Sequence, residues 1–464
     1  MRVVLNKELL EAQRDGRLRV SFIFFFALAL AVTVSAFQQA QSHARARSVA
    51  EAHERERWLN QGEKTPHAAA HYGVYAFRPA GPLALFDPGL SAHLGTTVYM
   101  EAHSQNAPQF PAANDTETFV RFGPLTPAAM FGVLLPLLIL VLAGTAVTTE
   151  RERGTLRQLL AQGVSGRQLL QGKATAITAL LLILITPLLI VFAALIALYG
   201  TAFDTAFRFM TLVALISVFS GMLLLVALSV STLADSTRAA LGVLIGFWLL
   251  GALVMPRLAM EWADLTAPTP RGPDFRAALK RDLDDRAPLE EAVSEVKAAL
   301  LKEFGVSDTD ELPIGFNGLR LHLVDQAGYE AFDRHYGALL DGYLEQEQRF
   351  QRAGWISPFV AFTALSAGLA GTDLIHYSHF LKAAEAYRRL IQDRMSLEMT
   401  RHPSTDGGQY VADPSLWSEI PEFTYIAPSF SSVWAHYRTS LAALLFWVAG
   451  AVISVSYACN RLRP

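Results

Sequence analysis

Charge is absent from six long stretches of this chain, and no other feature limits its fold so tightly. Residues 20–37, 128–148, 174–199, 209–233, 239–255 and 440–458 hold no Asp, Glu, Lys, Arg or His. As helices rising about 1.5 Å per residue, stretches of this length can cross a hydrocarbon core of about 30 Å. Only 17% of the 464 residues are charged, against roughly 25% in soluble domains. The expectation is an all-α polytopic membrane protein with six transmembrane helices. A net charge of −3 gives no argument for a nucleic-acid partner. The single cysteine, Cys459, excludes an internal disulfide and a cysteine-built metal site.

The cations set the expected orientation. Five precede the first run: Arg2, Lys7, Arg14, Arg17 and Arg19. Five more (Arg151, Arg153, Arg157, Arg167, Lys173) lie in 149–173, and Arg461 and Arg463 close the chain. Loops rich in Lys and Arg stay inside. Residues 1–19, 149–173 and 459–464 are therefore expected to be cytoplasmic, with both termini inside. Residues 1–19 read equally well as a solvated tail or as an interfacial helix leading into the first span. Residues 38–127 and 256–438 become two extracytoplasmic insertions. The first opens with a charged helix near 51–59 and is then broken by Pro66, Pro79, Pro82, Pro88, Pro108 and Pro111, which suits short strands. The second predicts charged helices over 275–304 (interrupted at Pro288), 325–352 and 373–400, giving a largely helical domain. The mildly apolar stretch 355–370 is too short to span and reads as a buried or interfacial helix. Pro136 and Pro187 are expected to bend their helices. Small residues at Ser217, Ser220, Gly221, Ser229, Ser231, Gly242 and Gly246 allow close approach of neighbouring helices.

Uncharged spans argue against a proton-driven cycle, because proton relays and coupling-ion sites need ionisable groups inside the membrane. A nucleotide site is absent as well. The nearest string, Gly166 to Ala174, has five residues between its glycines and an alanine where the magnesium-binding hydroxyl belongs. No catalytic residue, cofactor or metal ligand is assigned. All twelve histidines fall in the insertions. His67/His71 and His376/His379 have helical spacing that a metal could use, though solvated helices explain such pairs more simply. Asn114-Asp115-Thr116 matches a glycosylation pattern and is given no role.

Energy must then enter from another chain, and 149–173 is where a partner could push. Glu150-Arg151-Glu152-x-Gly154-Thr155-Leu156-Arg157 opens a helix just past a span, with Thr155 placed to cap it. Leu156, Leu159 and Leu160 form an apolar stripe. The stripe could enter a groove on a partner or lie against lipid; spacing alone does not separate the two.

This segment resembles the coupling segment of ABC-2 type permeases, the membrane subunits of one class of ATP-binding-cassette transporter. There an acidic–basic–acidic triplet and Gly-Thr-Leu follow the second span, as Glu150 to Leu156 do here. A Val-Ser pair and a Leu-Leu-x-Gly-Lys pattern then lead into the third, as Val164-Ser165 and Leu169 to Lys173 do. Glu8, Arg14, Asp15 and Arg17 resemble the family's amino-terminal helix. Ser357-Pro358, Leu365-Ser366, Leu369 to Asp373, Phe380, Glu385 and Tyr387-Arg388 resemble a subgroup with two large external insertions, related to permeases for multicopper-enzyme maturation. The resemblance implies an ATPase partner docked on Glu150, Arg151, Glu152, Gly154, Thr155, Leu156 and Arg157, with Glu150 and Arg157 making polar contacts. It also implies a second permease, identical or a sister chain, in the lipid of a bacterial inner membrane. The competing expectation is a mechanotransmission protein, relaying ATPase motion to the insertions without moving a solute. A standalone channel would leave the coupling-like segment unexplained.

Overall fold

The computed structural model describes residues 2–111, 125–198, 202–403 and 410–462; Asn114 lies outside them. It is an all-α polytopic protein with one small sheet. Seven helices among the described residues are long and apolar enough to cross a membrane, and six coincide with the six uncharged runs.

A short helix, α1 (Arg2–Arg14), precedes α2 (Gly16–Leu59). The latter has 44 residues, roughly 66 Å at helical rise. No Gly or Pro occurs between Gly16 and Asn60, so nothing stops the apolar span from running straight on into the charged half. The helix expected near 51–59 is thus the far end of this rod. It leads to α3 (Pro66–Tyr72) and strands β1 (Val74–Phe77), β2 (Gly95–Glu101), β3 (Ser104–Gln105) and β4 (Gln109–Pro111). These form an antiparallel sheet in which β2 pairs with β1, β3 and β4.

The bundle continues with α4 (Pro127–Glu152), a short α5 (Thr155–Ala161), α6 (Gly166–Ala197), α7 (Phe203–Leu233) and α8 (Thr237–Thr266). Helix α6 runs unbroken through Pro187. The second insertion holds α9 (Gly272–Asp284), α10 (Ala287–Phe304), α11 (Phe316–Arg352), α12 (Pro358–Ala370) and α13 (Leu374–Arg401), before the last span, α14 (Phe430–Arg461).

The two insertions, far apart in sequence, share one core. Trp58, Val98 and Met100 from the first pack with Phe380, Ile391, Met395 and Trp417 from the second. Trp58 Nε1 donates to the Trp417 carbonyl at 2.9 Å, and Trp417 Nε1 to the Gly62 carbonyl at 2.9 Å.

Helix α12 is the seventh apolar helix, continued by α13. It reaches a membrane-crossing length only together with α13; its own 13 residues extend roughly 20 Å and are buried against the other apolar helices of the bundle. Its seat is built by two prolines. Pro136 and Pro256 each lack the N–H of an α-helical bond, and just before each the helix widens to i→i+5 turns, at Met130–Leu134 and Leu249–Val254. A glycine sits in each wide turn. An added Cβ at Gly132 would lie 2.8 Å from the Phe362 ring, and one at Gly251 2.8 Å from Phe359. Ser357 Oγ donates to the Gly251 carbonyl at 2.9 Å, and the Phe219 ring stacks on Phe362 at 4.6 Å.

Candidate functional site

At one end of the bundle the triplet Glu150-Arg151-Glu152 ties four helices together, each residue by different chemistry. Glu150 is buried. Its Oε1 accepts from Lys7 of α1 and from Lys173 of α6, the latter at 3.3 Å, and its Oε2 accepts from the Thr155 hydroxyl. Lys173, 2% exposed, also donates to Glu8 Oε1 at 2.6 Å. Two lysines facing two carboxylates keep each buried charge compensated, which such burial requires.

Arg151 reaches the carboxyl end of α7. Its Nη2 donates to the Thr232 carbonyl at 2.7 Å and its Nη1 to the Ala234 carbonyl. These carbonyls have no partner in the helix, and a cation suits the negative end of the helix dipole. Glu152 does the converse at the amino end of α8, where its Oε1 accepts from the Thr237 amide at 2.7 Å. The alternation of sign therefore matches the alternation of helix ends across the α7–α8 turn.

Beyond the triplet, Gly154 takes φ 73°, a left-handed backbone that favours glycine. Thr155 does not cap α5 as its position suggests. The cap is Gly154, without a side-chain bond, and the Thr155 hydroxyl is turned back to Glu150. Leu156 is buried with Val4, Val147, Leu169 and Leu170, and Leu159 and Leu160 pack against the same cluster. The leucine stripe is thus covered by this chain's own α1, α6 and α14. Ser165 and Gln168 close a reciprocal capping box at the start of α6 (3.1 and 3.3 Å). Arg153, Arg157, Gln158, Arg167 and Gln168 remain exposed.

The opposite end holds a polar chamber that the sequence did not announce. Arg208, in the first two turns of α7, is 7% exposed. Its Nη1 donates to the Gly368 carbonyl at 3.2 Å, at the carboxyl end of α12, its Nη2 to the Pro428 carbonyl at 2.8 Å, and its Nε to Asp204 at 2.6 Å. It lines a cavity of about 130 Å³ with Arg78, Asp204, His376 and Tyr425. Close by, Asp87 accepts from Ser366 of α12 and from the Gly89 amide. Burial, helped by the nearby Asp373 carboxylate, pushes the Asp87 carboxyl above its usual range.

The two histidine pairs part ways. His376 Nδ1 bonds Asp373 at 2.6 Å while His379 turns to Tyr425. His67 and His71 face each other, Nε2 to Nε2, at 3.2 Å. Lys7 is the site residue sequence reasoning passed over, and Glu8 entered only through the resemblance of the amino-terminal helix. The apolar periodicity of Val4, Leu5 and Leu9 gave no signal for either.

A family described as ABC-2 family transporter protein matches residues 2–417. No curated protein and no solved structure matches the chain.

Proposed function

Since the chain belongs to the ABC-2 family of transporter proteins, we propose that it is the permease subunit of an exporter, driven by ATP hydrolysis on a separate subunit that presses on residues 149–173. The junction of Glu150, Arg151 and Glu152 carries this reading. A push on α5 is transmitted at once to α1 through Lys7 and to α6 through the buried Lys173, and to α7 and α8 through the capped helix ends. In this division of labour Glu150, Arg151, Glu152, Thr155 and Leu156 hold the lever inside the permease, and Gly154 gives its turn. Contact with the ATPase falls to the exposed face, with Arg157 and Arg167 as its cations. That end faces the cytoplasm of a bacterial cell, and the chain sits in the inner membrane. A second permease, a copy or a sister chain, lies against spans whose glycines (Gly221, Gly242, Gly246) have nothing within 4 Å of an added Cβ.

One observation favours the mechanotransmission reading. Helix α2 passes without a break from the bundle into the core of the insertions, which suits a rigid relay. Liposomes holding permease and ATPase separate the two, since ATP-dependent flux of any solute belongs only to the exporter.

The coupling proposal is tested with paired variants. Arg157→Glu with Arg167→Glu is expected to lose at least 10-fold in ATPase affinity without changing the permease's melting temperature. Glu150→Gln is expected to retain the ATPase yet lower its coupled activity. Full binding by the double charge-reversal variant would refute the assigned face.

A further inference from the structure

From the convergence of His67, His71 and His103 we infer a binding site for a divalent transition-metal ion of borderline softness, such as Zn(II), in the insertion domain. His67 and His71 are one turn apart on α3. His103 comes from the two-residue turn between β2 and β3, in which Glu101 pairs with Ser104. The three rings lie 4.6, 5.2 and 5.4 Å apart between centroids, and one nitrogen from each falls within 4.8 Å of the others.

The geometry is close to what an ion needs. Zinc held at about 2.0–2.1 Å by tetrahedral nitrogen ligands sets them about 3.3 Å apart. His67 Nε2 and His71 Nε2 stand at 3.2 Å, and His103 completes the set by a ring movement of at most about 1.5 Å.

Two features of His103 go beyond proximity. Its Nδ1 donates to Asp325 Oδ1 at 2.8 Å, and that carboxylate, on α11, is buried with only 3% of its side chain exposed. With the Nδ1 proton committed, Nε2 is the His103 nitrogen left free to ligate. A carboxylate behind a histidine in this way fixes the ring and raises its basicity as a ligand. His103 is also the one non-glycine residue with positive φ (60°) among those described, a conformation that glycine or asparagine adopts with less strain. Holding an imidazole there aims it at α3. The edge of the cluster at His71 is exposed, so an ion would keep one position open to water or an incoming donor, as in zinc sites that are not purely structural.

The test uses the full chain in detergent, stripped with a chelator and titrated with Zn(II) against a competing dye. Wild type is expected to take up one tightly held ion per chain, and Co(II) in its place to give the strong visible absorption of a low-coordinate nitrogen site. His67→Ala with His71→Ala is expected to weaken binding at least 100-fold, and Asp325→Asn 10- to 100-fold. His103→Gly in the Asp325→Asn background keeps the fold safe, because glycine accepts the turn and no buried charge loses its partner; it is expected to lose further zinc affinity while its metal-free melting temperature stays that of Asp325→Asn. Absence of stoichiometric Zn(II) uptake by wild type, or equal uptake by wild type and all three variants, overturns the assignment.

Discussion

Glu150 accepts hydrogen bonds from Lys7, Lys173 and Thr155 together, and this explains why the triplet begins with a buried acid. Removing one partner from a buried ion cluster typically costs about 3–5 kcal/mol. Because Glu8 still faces Lys173, the loss on Glu150→Gln is expected below that range. Asp87 is a different case, a buried carboxylate with two hydrogen bonds and no cation among its partners in the described residues. Its native form holds a proton more tightly than the unfolded chain does, so its contribution to stability falls as pH rises from the ordinary carboxylate range through the elevated native value. Asp87→Asn removes that decline. The variant is expected to melt above wild type at pH 8 by roughly 2 °C per kcal/mol relieved, and to show no such gain at pH 4. Thermal melts at the two pH values decide it; equal destabilisation at both would mean the charge is needed. The triplet was legible as a motif, while its partners were not. Nothing in residues 2–14 marks Lys7 and Glu8 as facing a site some 140 positions away.

Among the elements, α12 shows how far periodicity reaches. Its shortness and apolar character were plain from 355–370. Its seat was not, because it joins Gly132 and Gly251, on two different spans, to Phe362 and Phe359. Pro136 was expected to bend its helix; what precedes it is a wide turn, and the glycine within that turn admits a ring. Gly251→Leu forces a side chain into Phe359, and overpacking of this kind costs about 1–3 kcal/mol. Gly450→Leu, on α14 with nothing within 4 Å of an added Cβ, is expected to be neutral or mildly stabilising. A comparison of melting temperatures separates them, and equal values would show that α12 does not depend on the close approach at Gly251. Arg208 supports the other end of α12, where helix carbonyls lack partners. Sequence alone began that span at about 209, and the helix itself starts at Phe203, so Arg208 was not read with it.

At the scale of the molecule, the two insertions behave as one body standing on α2 and α8. Trp58 is 2% exposed in their joint core, and replacing a buried tryptophan with alanine costs about 3–5 kcal/mol. Trp58→Ala is expected to open both insertions to limited proteolysis at the same protease concentration, with the spans left intact. Cleavage confined to 38–111 would mean the insertions fold separately.

The sequence by itself determined that the chain is helical and crosses a membrane several times. It also determined where the charged segments fall and that 149–173 stands apart from the rest. Hydrocarbon excludes unpaired charge and unpaired backbone, so long uncharged runs have few alternatives to helices. Tertiary structure alone decided which charges meet. It buried Glu150 between two lysines, set α12 on two glycines, and brought His103 to His67 and His71. Those contacts depend on how rigid helices and a hairpin pack between segments that can be 23 residues apart, as Glu150 and Lys173 are, or 143 apart, as Lys7 and Glu150 are, and no local periodicity encodes such distances.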